Sequence, residues 1–449
     1  MKKQPIQLSD HFSYSRLIRF VLPCIGTMLF SSIYGIVDGL CVSNFVGKTA
    51  FAAVNFIMPL PMLLGAVGFM LGTGGSAIVG ITLGEGDENK ANRYFTLFVL
   101  AAVVASSVLA VLGVLFLRPA AILMGAEGEM LDYAVRYGRI LMISMPTFAL
   151  QNMFQSFFVT AEKPNLGFLV TLAAGCTNIV LDLLFVGAFG WGVEGAALAT
   201  FASQIVGGVI PLLYFLNQKN SSRLHLCKTS FHGGVLKNAC INGSSELMTN
   251  LSSSLVNILY NFQLMRFVGE DGVSAYGVIM YAAFLFVAVF VGYAVGSAPL
   301  VSYHYGARNH AELNNLYTKS LRLIAMVAVV MTGIAMLLIP AVSRIFVGYD
   351  ADLLALTIRA FRLYGLSFLI MGFNVYASSF FTALGDGVTS ALISFLRTLL
   401  FQLAAVLILP ELLGIDGVWL AITAAEGLAL VVSVVMFRTK DKVFHYRKA

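Results

Sequence analysis

Twelve apolar stretches, each long enough to cross a bilayer, divide this chain from end to end and set its fold class. About 20 apolar residues in an α-helix span the hydrocarbon. The stretches run over 17–43, 51–82, 94–117, 131–159, 165–189 and 193–216, then over 236–264, 272–303, 316–340, 352–382, 388–410 and 416–437. Several exceed 25 residues, which predicts tilt or extension beyond the lipid. Charged residues make up only 11% of the chain, where a soluble domain carries about 25%. Alternation of period two, the mark of a membrane barrel, is absent. An all-α integral membrane protein is therefore expected. The polar start, Met1 to Asp10, has no compact apolar core ahead of a small-residue cleavage site, so no cleaved signal peptide is expected.

Lysine and arginine choose the orientation. With the N-terminus in the cytoplasm, nineteen basic residues fall at cytoplasmic ends, among them Lys2, Lys3, Arg223 and Lys448. Eight fall at the outer ends, and Arg397 lies within a span. Both termini are thus expected on the cytoplasmic side of a plasma (inner) membrane. The net charge of +6 has this topological explanation and does not indicate nucleic-acid binding.

The chain also repeats itself. Shifted by 222 residues, Phe45-Val46-Gly47 falls on Phe267-Val268-Gly269, Gly84 on Gly306, and Gly195 on Gly417. A shift of 223 places Arg136 on Arg359 and Ser156-Phe157-Phe158 on Ser379-Phe380-Phe381. Six spans per repeat make the halves parallel, related by an axis along the membrane normal. The expected organisation is an N-lobe over 1–216, a cytoplasmic linker over 217–234 and a C-lobe over 235–449. Paired lobes of this kind place a substrate path between them and favour a transporter over a channel or receptor. Gly84-Glu85-Gly86-Asp87 and Gly306-Ala307-Arg308-Asn309 read as helix-closing turns.

Polar residues submerged in the spans are the candidates for function, because a charge at that depth costs at least a few kcal/mol. Asp38 lies in the first span. Asn178 and Asp182 lie in the fifth, four residues apart and so on one helix face. Carboxylates facing each other in a low dielectric hold a proton between them or hold Na+, with amide and hydroxyl oxygens as further ligands. Asn178 and Thr200 can supply such oxygens. Pro23 sits fifteen residues before Asp38, about 22 Å along a helix, where a proline permits bending. Glu246 lies about two turns inside the seventh span, and Asn250, Asn257 and Asn261 continue its polar stripe toward a central cavity. Gln151, Asn152 and Asn374 are weaker candidates for the same lining. Glu426 reads as a structural partner of Arg397.

Several classes are excluded. Five cysteines show neither CxxC nor Cys/His spacing, so no disulfide framework or zinc site is indicated. No nucleophile–base pair, metal cluster or phosphate-binding loop supports an enzyme. No resident cofactor is expected.

The pattern resembles the multidrug and toxic compound extrusion family, in the branch containing bacterial multidrug export proteins. The likeness covers essentially the whole chain. It rests on twelve spans in two lobes, Asp38 ahead of Phe45-Val46-Gly47, Gly84-Glu85-Gly86-Asp87, Asn178-x-x-x-Asp182, and Asn242-Gly243-Ser244-Ser245-Glu246. The resemblance implies antiport, with Asp38, Asn178, Asp182 and Thr200 as the N-lobe cation site and Pro23 as a proline whose helix bends on protonation. It implies a coupling role for Glu246. One departure is Asn374, where some members carry an aspartate in span ten, so the N-lobe site is the favoured locus. The expected function is export of amphipathic, mostly cationic drugs against H+ or Na+ by a monomer in the lipid bilayer. The alternative is a lipid-linked saccharide flippase of the same superfamily, which should need a strongly cationic cavity.

Overall fold

The computed structural model describes residues 6–348 and 350–447. Lys2, Lys3 and Lys448, counted above among the basic ends, lie outside them. Among the described residues every regular element is helical. The N-terminal half contains α1 (Tyr14–Phe45), α2 (Lys48–Ile57), α3 (Pro59–Gly84), α4 (Glu88–Leu123), α5 (Gly128–Ile143), α6 (Met145–Thr160), α7 (Pro164–Asp182) and α8 (Gly192–Leu216). The C-terminal half contains α9 (Gly233–Phe267), α10 (Glu270–Gly306), α11 (His310–Val347), α12 (Ala351–Gly365), α13 (Phe368–Ala383), α14 (Gly387–Phe395), α15 (Phe401–Leu413) and α16 (Ile415–Phe444).

These helices assemble into the twelve expected rods, six per lobe. Breaks, rather than tilt alone, take up the length of the long apolar stretches. Stretch 51–82 is α2 followed by α3, with Pro59 at the first position of α3, where a missing N–H is harmless. Stretch 131–159 breaks at Ser144, and stretch 352–382 bends by 44° between α12 and α13. Nine rods among the described residues are individually long and apolar enough to cross a membrane, and the bent pair makes a tenth. The rods of α5–α6 and α9 are more polar, with arginines on the first and a Ser/Asn stripe on the second.

The repeat is visible in the backbone. Left-handed positions recur at Gly47 and Gly269, Gly86 and Arg308, Glu162 and Gly385, and Gly192 and Gly414, each pair 222 or 223 residues apart. The turns around Gly86 and Arg308 are the caps expected from sequence. The Asp87 Oδ1 accepts the Lys90 N–H at 2.9 Å, and the Asn309 Oδ1 accepts the Glu312 N–H at 3.1 Å. The fifth span of each lobe also contains a π-helical turn, Leu183–Ala188 after α7 and Leu396–Leu400 between α14 and α15.

The lobes meet closely at the end where the linker and the basic residues lie. A Cβ on Gly243 would come within 1.9 Å of the Met70 carbonyl oxygen, and one on Gly306 within 2.0 Å of the Ile81 oxygen. Gly84 against Tyr303 and Gly292 against Ile25 are comparably tight. Only glycine lets helix backbones approach this far. A strap formed by residues 6–13 crosses the same end. The Leu8 N–H donates to Glu162 of the N-lobe at 2.8 Å, and the Phe12 N–H donates to Glu312 of the C-lobe at 2.8 Å. His11 Nδ1 lies 2.6 Å from the same Glu312 carboxylate, and Lys319 Nζ donates to the Phe12 carbonyl at 2.7 Å. Leu8 and Phe12 are fully buried.

Candidate functional site

Three helices of the N-lobe converge on Asp38. This residue lies in the C-terminal part of α1 and is 8% exposed. Asp182 closes α7 and is completely buried, with Asn178 one turn earlier on the same face. The π-helical turn begins at the next residue, and such turns are frequent where a helix must aim a functional side chain. The Asp38 and Asp182 carboxyl groups are neighbours. Thr200 enters from α8, and its hydroxyl lies beside that of Tyr137 from α5.

The polar atoms of this cluster are not satisfied by one another. Buried and without a hydrogen-bond partner among the described residues are one oxygen of Asp38, both of Asp182, the Asn178 amide nitrogen, and the Thr200 and Tyr137 hydroxyls. Buried polar groups are ordinarily paired. Here three unpaired carboxylate oxygens share the space with two hydroxyls and an amide, and two neighbouring carboxylates in a low dielectric favour a proton or a cation between them. The donor set is all oxygen, which suits H+ or Na+ and not a soft transition metal. No group of three His, Cys, Asp or Glu side chains suited to a metal occurs among the described residues.

Asp38, Asn178 and Thr200 line a cavity of about 460 Å³, together with Tyr34, Gln151 and Gln204. Asp182 sits behind them. The cavity shares Ile36, Gly39, Phe51 and Tyr281 with a larger cleft of about 730 Å³ between α1, α10 and α11. That cleft is walled almost wholly by apolar side chains such as Leu285, Val289 and Met331. Tyr34 and Tyr137 belong to the site but carry no sequence signal beyond their place in apolar spans; Gln204, a polar residue inside a span that falls on Glu426 at the repeat offset, belongs to it as well. Gln151, anticipated in the same lining as the Glu246 stripe, lines this N-lobe cavity instead.

The C-lobe candidates separate. Glu246 lines a cavity of about 240 Å³ with Arg397 and Glu426. Asn250 and Asn257 line none of these three cavities. The Asn250 amide donates to the Glu246 carbonyl at 2.8 Å, and Asn257 accepts the Tyr276 hydroxyl at 2.8 Å; Asn261 is exposed. Asn374, expected in a cavity wall, is fully buried instead and donates to the Glu426 carboxylate at 2.7 Å. Glu426 accepts the Arg397 Nε–H at 2.8 Å, the structural pairing expected from sequence. Asn152 is also buried, with its amide nitrogen unpaired. Pro23 lies inside α1, which continues through it.

Comparison with known proteins agrees with this architecture. The chain is similar to "Multidrug export protein MepA" of Staphylococcus saprophyticus, with 20% identity over 434 residues, covering 96% of this chain and 95% of that protein. The protein of the same description from Staphylococcus aureus strain MSSA476 is 22% identical over 436 residues, with the same coverage. Among solved structures, a MATE in the straight conformation superposes with a TM-score of 0.91 at 23% identity, over 99% of this chain and all of that one. An outward-facing multidrug resistance MATE family transporter superposes at 0.89 and 24% identity, covering 99% of each chain. The MatE family model matches residues 23–184 and again 247–407, once in each lobe. On that double match, which takes in most of the sequence, the chain belongs to the MatE family of transporters.

Proposed function

We propose that the protein is a secondary antiporter that exports amphipathic, mostly cationic drugs in exchange for inward H+ or Na+. One observation carries the reading: the Asp38–Asp182 pair stands at the wall of a polar cavity that opens into a larger apolar cleft. A ligand with a cationic head and an apolar body matches that juxtaposition. Its head is attracted to the carboxylates, and its body replaces water against the cleft wall.

The same carboxylates serve the coupling ion, so drug and ion compete for negative charge. A ligand shifts a two-state equilibrium only through unequal affinity for the states. Neutralising Asp38 and Asp182 removes their demand for further polar partners and favours a form in which α1 packs against α7 without the drug. Asn178 and Thr200 hold the ion when it is Na+. Pro23 leaves one backbone carbonyl of α1 without its helical donor, which makes it the natural place for the helix to bend. Glu246 is a secondary coupling candidate. The protein works as a monomer in the plasma membrane, both termini cytoplasmic, with the tightly packed end facing the cytoplasm. This structure then corresponds to the form open to the outside. A flippase for lipid-linked saccharides would need a strongly cationic cavity for a diphosphate, whereas the N-lobe cavity is acidic and Arg397 shares the C-lobe cavity with the carboxylates of Glu246 and Glu426.

Ethidium efflux from proteoliposomes under an imposed proton gradient, and then an imposed sodium gradient, tests the reading and identifies the ion. Asp38→Asn and Asp182→Asn are each expected to abolish efflux at unchanged protein level. Full efflux by both variants would refute it.

A further inference from the structure

The 240 Å³ cavity of the C-lobe is chemically unlike the N-lobe site. Glu246 borders it, and its carboxylate makes no hydrogen bond to any described residue. Thr249 and Ser253 follow three and seven residues later on α9, so all three share one helix face. Both hydroxyls donate to carbonyls of their own helix, at 2.8 Å in each case. A hydroxyl has one donor and two lone pairs, so this wall presents acceptors only.

Arg397 brings donors to the same cavity. Arg397, in the π-helical turn, spends its Nε–H on Glu426 and makes no other hydrogen bond to the described residues. Its two terminal nitrogens retain a fork of N–H groups, and Arg397 borders the same cavity. Such a fork matches a carboxylate in a two-point contact. Thr73, Ser76 and Ser156 of the N-lobe also line it, as do apolar side chains of α10 such as Val287 and Val291, so residues of both lobes border the space. Its volume falls below the roughly 300–1,000 Å³ of drug-sized pockets.

We propose that this cavity is a binding site for a small polar zwitterion, its ammonium on Glu246, Thr249 and Ser253 and its carboxylate on the free edge of Arg397. The site is separate from the Asp38–Asp182 cluster and does not depend on the drug-export reading. Because residues of both lobes wall it, the zwitterion binds the form in which they touch more tightly than one in which they separate.

The test is calorimetric titration of the full chain in lipid nanodiscs with 4-aminobutyrate, and with butylamine and butyrate as its two halves. 4-Aminobutyrate is expected to saturate, with each half binding about tenfold or more weakly, the size of one lost charge-assisted contact. Glu246→Gln should erase the preference over butyrate. The double variant Arg397→Gln/Glu426→Gln removes the ion pair without stranding either charge, and should erase the preference over butylamine. An unchanged elution volume in detergent and an unchanged helical circular dichroism spectrum show that each variant is folded. The wild-type series decides on its own if a variant does not fold. Butylamine binding as well as 4-aminobutyrate, or no saturable binding, overturns the proposal, as do both preferences surviving the substitutions. Loss of ethidium efflux in the wild type would count against drug export and leave this site standing.

Discussion

Asp182 and Glu426 are both completely buried carboxylates, yet the structure predicts opposite responses to substitution. Glu426 is saturated by Arg397 and Asn374. Removing it in Glu426→Ala strands a buried guanidinium and is expected to cost about 3–5 kcal/mol, seen as a large fall in melting temperature in detergent. Asp182 instead faces Asp38 with neither oxygen paired. Asp182→Asn installs a permanent amide donor toward Asp38, so the variant should melt no lower than the wild type and be about 1 kcal/mol more stable, while exporting nothing. A drop in its melting temperature comparable to that of Glu426→Ala would show that the carboxylate is structural. At this scale the sequence was legible where a charge interrupts an apolar run: Asp38, Asn178, Asp182 and Thr200 come together as expected. Tyr137 was not legible, because one tyrosine among 17 beside arginines on an amphipathic helix looks like ordinary interface chemistry. Asn257 was misleading for a related reason, since its spacing fixes a helix face but not the Tyr276 hydroxyl that occupies it.

Helix ends carry their own predictions. Asp386 caps α14: its Oδ1 accepts the Thr389 N–H at 3.2 Å, and its Oδ2 accepts the Thr389 hydroxyl at 2.7 Å and lies 2.7 Å from Lys440 Nζ. Burial works to raise this carboxyl. The Lys440 ammonium and the two Thr389 donors outweigh it and hold the group below the usual carboxylate range. A group depressed on folding stabilises the fold above its unfolded value, and the contribution disappears as pH falls through the folded one. Asp386→Ala should therefore cost about 1–2 kcal/mol near neutrality. The gap from the wild type should close as pH drops below about 4, read by thermal melts across pH. A gap that stays constant to low pH would assign the cost to packing. The twelve spans were legible from apolar length, and the caps at Asp87 and Asn309 from their turn residues. The breaks at Met58 and Ser144 and the two π-helical turns were not, because an apolar run reads the same whether its hydrogen bonds close four or five residues back.

For the whole molecule, the decisive contacts join the lobes. A Cβ on Gly296 would lie 3.0 Å from that of Val21, so a shift of about 0.5–1 Å at this seam brings a cysteine pair to the ~3.5–4.5 Å that a disulfide needs. In a cysteine-free background, Val21→Cys/Gly296→Cys should cross-link on oxidation, lose nearly all efflux, and recover it on reduction. An oxidised protein that still exports at full rate would mean that the lobes need not part at this end. The twofold repeat was legible from matched glycines and arginines. The surface on which the halves meet was not, since a glycine in a sequence does not name the carbonyl it will touch. The strap has a kinetic corollary. Residues 6–13 are stitched to Glu162 on one side and Glu312 on the other, so parting the lobes here also means unfastening a segment whose Leu8 and Phe12 have left water entirely. Each excursion should thus begin with a rare detachment, and the resting form should be long-lived. Deleting the chain before Ser13 ought to shorten that dwell several-fold in single-molecule fluorescence traces while leaving the acid pair untouched.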